Sequence, residues 1–452
     1  MDLQAVRVAG VGLGQAQGAA VAVDDEPSRT AVVVGEFGCP PVRTQLSRHF
    51  VGERVELLLR GQPSARGRGG VPTRQCNGCG AQHVKQDMRL QVRTMLRLAA
   101  ALLLVTAVLA VGAQVPATAQ DSGGSVAVAG YDLGDTAFTD PQTGTVSELR
   151  AVVHYPRRLT GRLPLIVMAH GSWLACDAED AATWPCPVGS HPYPSYRGYD
   201  YLGAALATRG FVVVSISVDG INQTSYDYGD RARLINEHLR LWQQLAADGG
   251  GPLAGRFVDP SGRPVAPDFT GHVDMTRVGT LGHSRGGKGV MWQASDKHRG
   301  EWPAGVRVRA VLGLAPVKFD VPEYDHSDTL ITKLPFTVVT GTCDHAVGEA
   351  GQEYLDDVTG LNTTTDYSVS LNDANHNYYN TAWTPPSLFG RDDSTCPAQE
   401  LTPGRQQDAL TAYATAFYRY ELYGDRDGLS VLTGKQPLPD VTATTRVVPA
   451  RQ

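Results

Sequence analysis

The chain has 452 residues, 42% of them hydrophobic and 19% charged, with a formal net charge of −6. That length suits one large domain, and those fractions belong to a soluble globular protein. Seven cysteines are too few for a small scaffold held together by disulfides.

Residues 1–94 are rich in Gly, Arg, Val and Gln without a sustained period, and "GQPSARGRGGVPTRQ" reads as disordered. Cys76 and Cys79 have CxxC spacing, but no second pair or matching histidines accompany them, so a metal site is not expected there. The stretch "MLRLAAALLLVTAVLAVGAQVPATAQ" follows at 95–120. Arg97, the apolar run from Leu98 to Val111 and the small-x-small triplet Ala117-Thr118-Ala119 are the three regions of a secretory signal peptide. The run is short for a membrane span, which needs about 20 apolar residues. A signal peptide stands at the start of a chain. Residues 1–94 are therefore read as a disordered stretch or an over-long gene call, with translation starting near Met88 or Met95. Residues 95–119 are the signal, or a tether if uncleaved, and 120–452 the mature domain.

Without residues 1–119 the chain keeps 27 basic and 38 acidic residues, a net charge of −11. Such a surface repels nucleic acid and anionic membranes. Cys176, Cys186, Cys343 and Cys396 remain, and an even number in an exported chain points to two disulfides. Of the three possible pairings, Cys176–Cys186 with Cys343–Cys396 is favoured because the first closes a short local loop.

The mature region alternates strands and helices. "ELRAVVHYP", "LPLIVMAHG" and "FVVVSISV" read as strands, with a helix over "YDYLGAALATRG" that stops at Gly210. "RARLINEHLRLWQQLAAD" spaces Leu234, Ile235, Leu241, Trp242 and Leu245 as a helix does. The Gly/Pro-rich stretch 248–271 is an inserted loop. "TRVGTLGHS", "VRAVLGLAPV", "LPFTVVTGTCD" and "DYSVSLNDANH" are four more strands, and "QQDALTAYATAFYRYELYG" is a long closing helix. Continuous apolar strands alternating with helices predict a mostly parallel sheet covered on both faces.

Gly282-His283-Ser284-Arg285-Gly286 matches G-x-S-x-G between an apolar strand and a helix-compatible run. A strand that turns abruptly into a helix strains the serine backbone, and side chains at the flanks would collide. At these residues the chain resembles the α/β-hydrolase superfamily, over roughly residues 145–425. It is most similar to secreted bacterial members akin to the platelet-activating-factor acetylhydrolase, dienelactone hydrolase and polyester-hydrolase groups. The resemblance implies an α/β-hydrolase fold in a single domain and a Ser…Asp…His order along the chain.

Ser284 is then the nucleophile, Asp344 after "VVTGTC" the acid and His376 in "LNDANH" the base. Oxyanion donors are expected at the backbone N–H of Arg285 and of Ser172, with Trp173 as second choice for the latter. Asp320 in "APVKFD" rivals Asp344 as the acid. The plain alternatives are a solvated acid at Asp344, a turn cap at His376 and a helix cap at Arg285. His170 and His283 are read as buttresses of the two motif turns. Trp173, Trp184, Tyr193, Tyr196 and Tyr199 either line a cleft or pack a loop clasped by Cys176–Cys186.

The function expected is a secreted serine esterase acting on a small or polymeric ester. It needs no cofactor and no metal, and has no nucleic-acid partner and no membrane after signal cleavage. A peptidase or amidase with the same triad is the first rival. "HSRGGK" also resembles a run in glucuronoyl esterases, a minor alternative for substrate. A non-catalytic exported binding protein on the same scaffold is the rival from outside enzymes.

Overall fold

The computed structural model describes residues 20–21, 32–34, 45–51, 54–60, 125–177, 183–224, 228–318, 325–383, 396 and 400–452. The signal segment at 95–119, the CxxC at Cys76 and the rival acid Asp320 lie outside the described residues. The chain divides into two compact units, Met1–Ala113 and Gln114–Gln452. In the first, Ala20–Val21 (β1), Val32–Val34 (β2), Gln45–Val51 (β3) and Arg54–Arg60 (β4) pair antiparallel in chain order.

The second unit is built on a nine-stranded sheet. Its strands are Val126–Asp132 (β5), Arg150–Pro156 (β8), Leu163–Ala169 (β9), Val212–Ile216 (β10), Val273–His283 (β11), Val308–Leu314 (β12), Phe336–Gly341 (β13), Asp366–Leu371 (β14) and Ala443–Val448 (β15). Phe138–Thr139 (β6) and Val146–Ser147 (β7) form a separate small ladder. Across the sheet the order is β5-β8-β10-β9-β11-β12-β13-β14-β15. The inner run from β10 to β14 is parallel. The outer strands β8, β5 and β15 run antiparallel to their neighbours.

The helices are Asp200–Thr208 (α1), Asp219–Thr224 (α2), Tyr228–Asp248 (α3), Arg285–Ala294 (α4), Glu353–Val358 (α5), Pro403–Tyr423 (α6) and Leu429–Leu432 (α7). They explain why the strands are apolar throughout. Along β9, Leu165, Val167 and Ala169 face one core, together with Leu234 and Leu241 of α3, Val290 of α4 and Leu355 of α5. Ile166 and Met168 face the other, with Leu202 of α1 and Leu410 and Phe417 of α6. A strand buried on both sides has no solvent face to mark with polar residues. α6 begins at Thr402, whose side chain accepts from the Arg405 N–H, and Pro403 opens its first turn. It ends at Gly424 with φ 71°, the left-handed stop that glycine adopts without strain.

Two edges depart from the sequence expectation. β5 and β15 were not anticipated, and the loop at 248–271 is more than a connector. Leu253, Phe257 and Phe269 of that loop are buried in the larger core, where Phe257 and Phe269 pack edge-on against Trp242. Val258 also pairs with Gly130, closing part of the free edge of β5.

The order of the inner strands sets the place of the site. From β9 the chain crosses to β10 on one side, and β11 then lies on the other side of β9. The carboxyl ends of β9 and β11 therefore flank a topological switch point, where parallel α/β sheets leave a crevice for ligands.

Candidate active site

β11 ends at His283, and α4 begins at Arg285. Ser284 between them has φ 58° and ψ −120°. A side chain at positive φ is sterically costly, by about 1–3 kcal/mol, and persists only where the surroundings impose it. Here the flanks do so. A Cβ on Gly282 would stand 2.0 Å from the Gly286 carbonyl oxygen, and one on Gly286 would stand 2.5 Å from that of Ala169. The Ser284 N–H donates to Leu314 O at 2.9 Å, and its carbonyl accepts from Val317 N at 3.1 Å and Lys288 N at 3.3 Å. The serine is thus pinned at the head of α4 against β9 and β12.

Asp344 follows β13 and His376 follows β14. The structure brings them together: His376 Nδ1 lies 2.7 Å from Asp344 Oδ2, and both side chains are buried. Asp344 Oδ1 also accepts the Val347 N–H at 2.8 Å, which fixes the carboxylate plane. A carboxylate can only accept, so Nδ1 carries the proton and Nε2 the lone pair of the neutral ring. The ring of His283, the residue before Ser284, lies 4.7 Å from that of His376 between centroids. Ser284, Asp344 and His376 thus all stand at carboxyl ends of parallel strands on one edge of the sheet.

The turn after β9 completes the edge. Gly171 abuts the serine so closely that a Cβ on it would lie 2.7 Å from Ser284 Cβ. His170 Nδ1 donates to Gly171 O at 2.8 Å, and its Nε2 accepts the Val218 N–H at 2.9 Å. Acceptance at Nε2 requires the neutral ring, and burial pushes its pKa down to about 3. Ser172, the expected second oxyanion donor, follows directly and is half-buried. Arg285 is half-buried at the start of α4, where first-turn N–H groups point out along the axis.

His283 packs beside His376. Its Nδ1 and the Tyr199 hydroxyl are 2.8 Å apart, and burial first, then the neighbouring His376 and His170, hold it well below the usual histidine range. An aromatic column continues outward: Trp383 stacks on His283 with centroids 5.1 Å apart, and Trp173 stacks on Trp383 at 4.9 Å. Trp173 and Tyr199 are buried in packing, whereas Trp184, Tyr193 and Tyr196 are half-buried. The Trp383 indole N–H donates to Ser195 Oγ at 3.0 Å. Sequence reading missed Trp383, because nothing local marks a residue whose partners are 100 or more positions away.

The cysteines pair as Cys176–Cys186 and Cys343–Cys396, with Cα atoms 5.7 and 5.3 Å apart. The first clasps the loop after Ser172, and the second ends beside Asp344. Among the described residues no group of three or more His, Cys, Asp or Glu side chains could hold a metal, and no helix is long and apolar enough to cross a membrane. No protein-family model and no curated protein matches the chain.

Proposed function

We propose that the protein is a secreted serine hydrolase of the α/β-hydrolase type that cleaves carboxylic esters. The observation that carries this reading is the buried 2.7 Å bond between His376 and Asp344, on the same sheet edge as a serine held at φ 58°. The sheet is compatible with it: the inner strands β10, β9, β11, β12, β13 and β14 run parallel, with helices packed on both faces. Two disulfides agree with an extracellular location.

In this reading Ser284 Oγ attacks the ester carbonyl while His376 Nε2 takes its proton. Asp344 holds the ring in the required tautomer and stabilises the imidazolium. The N–H groups of Arg285 and Ser172 receive the oxyanion, each donor contributing about 3–4 kcal/mol to the transition state. Collapse expels the alcohol, protonated by His376, and leaves an acyl group on Ser284. Water activated by His376 then releases the acid and restores the serine.

The test is labelling with a fluorophosphonate, followed by turnover of p-nitrophenyl acetate by the parent and by Ser284→Ala. We expect label on Ser284 alone and loss of turnover in a variant that still folds. Undiminished turnover by Ser284→Ala would remove the proposal.

A further inference from the structure

We propose that Asn222 is a positioning residue for the second oxyanion donor. The inference rests on the reading of Ser284 as nucleophile and of the Ser172 N–H as donor. Asn222 lies in α2, beyond the carboxyl end of β10. Its amide orientation follows from its partners. Arg231 Nη2 stands 2.5 Å from Asn222 Oδ1, and a guanidinium only donates. Oδ1 therefore accepts there, and Nδ2 donates to Gly171 O at 3.1 Å.

The same carbonyl receives His170 Nδ1 at 2.8 Å. Two donors occupy the two lone pairs of one oxygen. His170 is held in turn by the Val218 N–H on its Nε2. Asp219 Oδ1 is 3.4 Å from that nitrogen; burial, then the neighbouring Glu148, raises its carboxyl well above the usual carboxylate range, and burial lowers the imidazole, which disfavours an ion pair between the two.

Clamping a carbonyl aims the next amide. In a planar trans peptide the Gly171 C=O and the Ser172 N–H point in opposite directions. Asn222 and His170 hold the oxygen, so the N–H is directed to the far side of the plane. That plane leans on the nucleophile, where Gly171 leaves no room for a Cβ beside Ser284. The local histidine alone would leave the peptide free to tilt about one bond. Asn222, from 51 residues on and itself tied to Arg231 of α3, supplies the second fixed point.

The experiment uses Asn222→Asp, which keeps the size and an acceptor for Arg231 but loses the donor, and Asn222→Leu, which loses both. The readouts are kcat and KM for p-nitrophenyl acetate and Ki for a trifluoromethyl ketone, whose serine adduct carries an oxyanion. Fluorophosphonate labelling of Ser284 and the melting temperature are followed separately. We expect kcat to fall about 10- to 100-fold in both variants, less than for outright loss of a donor, and Ki to rise in step. KM should stay within about twofold, because ground-state binding is untouched. If the Leu variant does not fold, the Asp variant decides. Unchanged kcat and Ki in a folded variant that still labels overturn the assignment and leave the nucleophile standing. So does a loss carried by KM alone. Absence of label on Ser284 in the parent overturns both.

Discussion

The turns after β11 and β9 lie side by side on one sheet edge, yet they are held by different means. The first is held above all by close packing of backbone: Gly282 lies against the Gly286 carbonyl and Gly286 against that of Ala169, so only glycine fits at either place, and Ser284 takes the strain. The second is held by partners from elsewhere in the chain, the Asn222 amide and the Val218 N–H. A turn fixed by shape fails completely when its shape is changed. A turn fixed by hydrogen bonds degrades in steps, one bond at a time.

The sharpest way to break the first turn is Gly282→Val. Its Cβ would meet the Gly286 carbonyl at 2.0 Å, backbone that cannot give way without unwinding the head of α4. We predict loss of Ser284 labelling together with a drop in melting temperature; a normally labelled, stable variant contradicts the steric account.

The second turn should yield more gradually. His170→Leu removes one donor to Gly171 O and leaves the Val218 N–H buried without its acceptor. An orphaned buried donor costs about 1–3 kcal/mol. The variant should fold, be less stable by that amount in urea titration and keep partial turnover. Complete loss of turnover without a stability change would assign His170 a chemical part instead.

The smallest effect lies far from both turns and separates fold from site. Burial pushes Asp366 of β14 up to about 7 and Glu421 of α6 up to about 7, the latter raised further by the charge of Asp366. Unfolded, both titrate near about 4, so between those values the folded chain binds more protons. Stability contributed by these groups is full below about pH 4 and is lost as pH rises through about 7. Glu421→Gln should flatten that part of the melting curve against pH and leave turnover unchanged. An unaltered slope would exclude Glu421 as its source.

The same contrast governs what could be read in the sequence. Runs such as 163–169 and 211–218 announce buried parallel strands because apolar residues there need only follow one another. β15 carried no such mark: it is an edge strand with Thr444 and Val447 exposed, and its pairing with β14 is decided by position in the fold. The turn at Ser284 is legible because its steric demand is written in the two glycines that flank it, although the atoms they make room for include the carbonyl of Ala169. Asp344 and His376 are singled out only by their places after strands, a rule of the resemblance. Asn222 and Trp383 were illegible because each acts on residues far along the chain, with ordinary neighbours in sequence.

The Cys343–Cys396 bond closes a ring with a sequence separation of 53, and both Asp344 and His376 lie inside it. A single proteolytic nick anywhere in that ring leaves two fragments still joined. α6, which follows Cys396, stays tethered to the chain that carries Ser284. On a gel such a nicked molecule would run as one band without reductant and as two with it, so cleavage and inactivation need not coincide.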